Sequence, residues 1–273
     1  MKKIFCILSL CLLFSVACQQ GENGDEQPIN GNSSSLVVVS QTIADHNAVI
    51  IKPSNLAITA PVVVVVADDI TLATRMTVLP TPAVPDVNFK AAEHCLIGRY
   101  TLCVLEASET IDVSYLNDIK NAFPNASKYY LVSYRNGVAY TAAMQMPDVF
   151  AAYGCVSGAI DVEAYKVNNF TKPVSFVHVH AKNNPEYKWT GVENKSVSVP
   201  LSIGAIAAIN ECTHYTTSSF VPREDKGRVT CTQYLGGLNG TDVKLYTVDS
   251  ANSGWCDEEF EVYNQIWNFF KTR

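Results

Sequence analysis

The most constraining stretch of this chain is "PVVVVVADD", five consecutive valines between Pro61 and the aspartates Asp68 and Asp69. Valine is stiff at its β-carbon and fits a strand better than a helix. Successive strand residues point to opposite faces, so a strand that is apolar at every position must be covered on both. The flanking sequence supplies the cover. "RYTLCVLEA" reads as a strand. Val113, Leu116, Ile119 and Phe123 then recur at helical spacing over residues 111–125, and Pro124 ends that helix. Strand "KYYLVSY", helix "NGVAYTAAMQM", strand "FAAYGCVSG", strand "KPVSFVHVHA" and helix "PLSIGAIAAINE" follow. Strands "RVTCTQYL" and "DVKLYTVD" and the amphipathic helix "DEEFEVYNQIWNFFK" close the chain. Before the valines, two β-rich runs flank Ala44, Asp45, His46 and Asn47, which predicts an antiparallel start. Residues 71–85 are ambiguous. The expected class is α/β, a mostly parallel central sheet with helices on both faces, whose ligand sites lie at the carboxyl ends of the strands.

The beginning of the chain has a different character. Lys2 and Lys3 precede "IFCILSLCLLFSVA", which is shorter than the roughly 20 apolar residues that span a bilayer. Residues 1–17 read as an export signal, and "SVAC" resembles a bacterial lipobox in which Cys18 is acylated. Residues 19–35, rich in Gly, Asn, Ser and acids, cannot build a core, so residues 18–35 are expected to be a flexible tether. Residues 36–273 would form the folded domain. The expected location is the cell envelope, at the outer membrane, facing the periplasm or the surface. The net charge is −6, and more negative still once Lys2 and Lys3 leave with the leader. An acidic chain with no basic cluster argues against nucleic acid, and against membrane binding by charge instead of by lipid.

Six cysteines remain beyond Cys6, Cys11 and Cys18. An even number in an exported chain suggests disulfides, and six admit many pairings. The economical set is Cys95–Cys103 and Cys212–Cys231, leaving Cys155–Cys256. No CxxC spacing exists for a zinc site, and nothing points to a cofactor.

The stretch "YLVSYRNGVAYTAAMQMPDVFAAYGCVSGAI" (residues 130–160) resembles the core of α/β-hydrolase esterases of the polyhydroxybutyrate depolymerase and feruloyl esterase type. Their pattern is strand, G-x-S-N-G, helix, a P-D-x-F-A-A step and a strand ending in G-A. Asn136, Gly137, Pro147, Asp148, Phe150, Ala151, Ala152, Gly158 and Ala159 fall in register with it. The order of segments matches from about residue 61 to the end. The resemblance implies an α/β-hydrolase fold and a triad met in the order Ser, Asp or Glu, then His. Here the nucleophile position is Arg135, the acid position after "FVHVHA" is Asn184, and the base position beside Trp255 is Ser253. The oxyanion strand ends in Asp68 and Asp69 where the family has H-G.

No G-x-S-x-G or S-x-x-K occurs, and none of the five histidines follows the last strand. Ser133 precedes the elbow by two residues, within the strand. Loss of the serine or histidine from such a triad costs on the order of a million-fold in turnover. The expectation is a lipid-anchored protein that has lost esterase activity and binds glycans or ester-linked plant polymers. The alternatives are an active ester hydrolase with an unrecognised nucleophile, and a structural envelope protein. His178 and His180 share one strand face, as a metal pair would, but the resemblance favours packing. Arginine is a permanent cation. Arg135 is expected either to pair with Asp68 or Asp69 and plug the pocket, or to bind an anion such as a uronate, phosphate or sulfate. Asn136 and Trp255 complete the candidate ligand contacts.

Overall fold

A computed structural model describes residues 36–68, 95, 97–107, 111–167, 170–220, 227–249 and 261–273. The leader, Cys18 and the tether lie outside these residues, as do Asp69, Ser253, Trp255 and Cys256.

Among the described residues, ten strands form one sheet. The antiparallel start is the hairpin of β1 (Leu36–Ile43) and β2 (His46–Pro53). Ala44 and Asp45 close it, with φ of 48° and 65°. Positive φ at both central positions gives the turn twist that matches a hairpin. β2 joins β4 (Thr101–Glu106) antiparallel, and β4 lies parallel to β3 (Val62–Ala67). From there β5 (Tyr129–Tyr134), β6 (Ala152–Val156), β7 (Phe176–Ala181) and β10 (Val243–Val248) continue parallel. The far edge turns antiparallel again through β9 (Val229–Leu235) and β8 (His214–Phe220).

The valine run sits between β4 and β5 with all six residues of β3 buried. Val62, Val64 and Val66 face one core, and Val63, Val65 and Ala67 face the other. The first core lies under α1 (Asp118–Ala122), α2 (Val138–Gln145), α3 (Val162–Val167) and α4 (Val199–Ile209). The second is covered by α5 (Val262–Phe270), which inserts Val262, Tyr263, Ile266, Phe269 and Phe270. Phe270 stacks on Tyr130 with ring centroids 4.8 Å apart. Burying one such side chain contributes about 1.5–3 kcal/mol.

One expected element differs in form. The helix expected over 111–125 is a 3-10 turn, Ser114–Asn117, followed by the five-residue α1. Val113, Leu116 and Ile119 still point inward, so the apolar spacing was met by a shorter device.

The disulfide expectation requires correction. Cys95, Cys103, Cys155, Cys212 and Cys231 are free thiols. Cys103 packs in the first core and Cys95 in the second; Cys231 lies in the second core and Cys212 against the first. Each proposed local pair is therefore split across the sheet. The third pair, Cys155–Cys256, ends on a residue outside the described ones.

Candidate functional site

The parallel strands end on one side of the sheet, and the sharp turn from β5 into α2 stands there. Arg135 occupies its tip at φ 57°. Such a φ is uncommon for a residue with a β-carbon, and it is the strained geometry by which this fold exposes one side chain above its strands. Close packing fixes the turn. A β-carbon on Gly137 would lie 2.6 Å from the Ala159 carbonyl oxygen, and one on Gly158 would lie 2.0 Å from that of Asn136. The Arg135 amide donates to the Val156 carbonyl at 3.0 Å. Buried Asn136 ties the elbow to its neighbours. Its Oδ1 accepts from the Val138 amide at 3.1 Å, and its Nδ2 donates to Asp68 Oδ1 at 3.0 Å and the Tyr134 carbonyl at 3.2 Å.

Arg135 does not pair with Asp68 as expected. Its Nε donates to Glu186 Oε2 at 2.8 Å, and its Nη2 bonds the same oxygen. Asp68 is held by Asn136 instead, and its carboxyl pKa is raised, chiefly by desolvation, with the Asn136 bond pulling it down. Partial burial works against the Arg135 charge, but the Glu186 bonds offset it and leave its pKa raised. Glu186 is placed by Asn184, the residue at the acid position. The buried Asn184 Oδ1 accepts from the Glu186 amide at 2.9 Å and the Tyr187 amide at 3.0 Å. Arg135 and Asn184 therefore converge, with Glu186 between them. The sequence signal for Glu186 was present: it is the first acid after β7.

His178 and His180 belong to a buried chain of hydrogen bonds. The Tyr140 hydroxyl lies 2.7 Å from His178 Nδ1; His178 Nε2 lies 3.1 Å from His180 Nδ1; His180 Nε2 lies 2.8 Å from the Tyr187 carbonyl oxygen. A carbonyl only accepts, so His180 Nε2 must donate. His180 Nδ1 then accepts from His178 Nε2, and His178 Nδ1 accepts from Tyr140. Both rings are neutral, and all four ring nitrogens are engaged. Burial lowers the pKa of His180 to about 4, and burial together with the His180 ring lowers that of His178. No cluster of three or more metal-ligating side chains is found among the described residues.

Two other nucleophile-type groups lie beneath the turn. Ser133 is fully buried, its Oγ donating to the Asn136 carbonyl at 3.2 Å. Cys155 Sγ lies 3.6 Å from the same oxygen, and burial pushes its thiol pKa up to about 12. Both are sealed from solvent.

No protein-family model matches the chain, and no curated protein matches it in sequence. Solved structures do. An acetyl xylan esterase from Aspergillus awamori is 12% identical with a TM-score of 0.51, over 84% of this chain and 99% of its own. A glucuronoyl esterase from Solibacter usitatus is 10% identical with a TM-score of 0.50, over 89% of this chain and 82% of its own. A prolyl oligopeptidase B from Galerina marginata is 9% identical with a TM-score of 0.51; 87% of this chain matches 36% of that one. Likeness at these identities is a likeness of fold. With the strand order and the turn at Arg135, the α/β-hydrolase fold is established, and its neighbours include esterases.

Proposed function

We propose that this chain is an exported, lipid-anchored α/β-hydrolase-fold protein that has given up serine-ester chemistry and serves as a binding or accessory protein at the cell envelope. Within the fold, we assign it to the polyhydroxybutyrate depolymerase and feruloyl esterase type, on the register of residues 130–160. The observation that carries the reading is Arg135 at the strained tip of the β5–α2 turn, ion-paired with Glu186 where a nucleophile would stand. Three further facts support it. Asn184 spends its side-chain oxygen on backbone amides, Ser133 and Cys155 are sealed beneath the turn, and both histidines of β7 are consumed in internal bonds. The ligand class we favour is a plant-type glycan, in keeping with neighbours named for xylan and glucuronoyl esters.

The test is turnover of aryl acetate and feruloyl esters by the full chain, with labelling by a serine-reactive phosphonate. No labelling and no turnover above solvent hydrolysis is expected. The variant Arg135→Ser should remain inactive, because a serine without a base and an acid lacks its activating partners. Robust wild-type turnover overturns the proposal. Anchoring is tested by Cys18→Ser, which should move the protein from the detergent phase to the aqueous phase; unchanged partition refutes it.

A further inference from the structure

We infer that Glu186 is a built-in competitor for the ligand of Arg135, and that the ligand is a sugar carboxylate, a uronate. The inference rests on the proposed binding role and specifies the chemistry of that site.

The arrangement of the pair is the starting point. Nε and Nη2 of Arg135 both go to one oxygen of Glu186, Oε2. Among the described residues, Arg135 Nη1 and Glu186 Oε1 have no partner. A guanidinium paired to its full geometric capacity would meet both oxygens of a carboxylate in parallel bonds. The internal pair is thus an incomplete version of the contact that an incoming carboxylate can make.

Solvent access makes exchange feasible. The two side chains are 34% and 36% exposed, so water already reaches both. Ion pairs of that exposure are weak in general, and Glu186 can be displaced by an anion of better geometry. Its backbone stays in place when it swings away, because Asn184 Oδ1 holds the amides of Glu186 and Tyr187. The same loop carries two lysines, each set against an aromatic ring of its own. Trp189 is partly exposed and has Lys182 Nζ 6.0 Å from its ring centroid, and Lys195 Nζ stands 4.1 Å from that of Tyr187. Lys195 adds positive charge near the turn, since its charge acts on Asp68, and among sugars of the proposed glycan class a uronate is the one that carries the planar carboxylate this fork can hold.

The experiment is calorimetric titration of the full chain with glucuronic acid, its methyl ester, xylose and acetate. Glucuronic acid should bind, the neutral ester and xylose should not, and acetate should bind more weakly. Glu186→Gln should tighten glucuronate binding by up to about fivefold, the factor equivalent to about 1 kcal/mol for an exposed pair. Arg135→Asn, a residue that tolerates positive φ, should abolish binding while keeping the melting curve, and Arg135→Lys should weaken it through loss of the fork. Any of four results overturns the inference: no glucuronate binding by the folded wild type, unchanged or weaker binding in Glu186→Gln, binding retained in Arg135→Asn, or equal binding of the neutral ester. Xylose or methyl-ester binding that persists in every variant would refute the carboxylate site and leave the non-catalytic reading intact. Ester turnover refutes that reading separately.

Discussion

Acidification should weaken this protein through His180 in a calculable window. In the fold His180 is neutral, donating from Nε2 to the Tyr187 carbonyl and accepting at Nδ1 from His178. A second proton on the ring would need Nδ1 to become a donor, reversing the tautomer of His178 and turning the Tyr140 hydroxyl into an acceptor. It would also place a cation where 0% of the residue is exposed. Burial therefore depresses the pKa from an ordinary 6.5 to about 4. Below 6.5 the unfolded chain takes up a proton that the native state refuses, so stability rises with pH across this interval. The contribution is fully present above 6.5 and is lost progressively down to 4. At about 1.4 kcal/mol per unit, the whole window is worth about 3 kcal/mol. That is a large part of a typical total of about 5–15 kcal/mol. Urea unfolding at pH 7.5, 6.5, 5.5 and 4.5 measures it, and the midpoint should fall by on the order of 1 M. His180→Gln retains a donor toward Tyr187 without a titrating ring, and the carboxylates common to both proteins cancel in the difference. The wild type should lose stability faster than the variant between pH 6.5 and 4.5. Parallel pH profiles for the two proteins would refute the argument.

Two further outcomes follow from packing. Gly137→Ala and Gly158→Ala place a methyl 2.6 Å and 2.0 Å from backbone oxygens that cannot move aside freely. Each should cost about 1–3 kcal/mol by thermal or denaturant unfolding, Gly158→Ala the more; neutral substitutions would mean the elbow is looser than described. Under native conditions, a thiol reagent should modify Cys212, which is partly exposed, before the buried Cys95, Cys103 and Cys155, whose pKa values are each pushed up to about 12 by burial. Rapid labelling of Cys103 or Cys155 in the folded protein would contradict that order.

The central layers of the fold were legible in the sequence because burial on both faces leaves an unbroken apolar run, as in Val62–Ala67, and burial on one helix face leaves a 3.6-residue rhythm, as in Val262–Phe270. β8 and α3 left neither mark. The residues His214 to Ser219 of β8 are all exposed, so "HYTTSS" has no inward set to alternate, and α3 buries only Ala164. At the site, Arg135 stood out because its neighbours kept the register of the turn while its own chemistry did not. Its partner could not be read in the same way. Asp68 and Asp69 were the acids nearest in the expected topology, whereas the pairing with Glu186 depends on an Asx-type bond from Asn184 that bends the loop after β7. The bonding of His178 and His180 depended on Tyr140, 38 residues from His178.

The division of the cysteines between the two faces of the sheet has a consequence for how the chain matures. A bond between Cys95 and Cys103, or between Cys212 and Cys231, would join points that the finished sheet holds apart. Either crosslink, formed before β4 or β9 is seated, would have to be reduced before the native layers could close. Premature oxidation is thus a trap for this protein. Folding has to proceed with these four thiols reduced, or collapse has to outrun any oxidant that the chain meets.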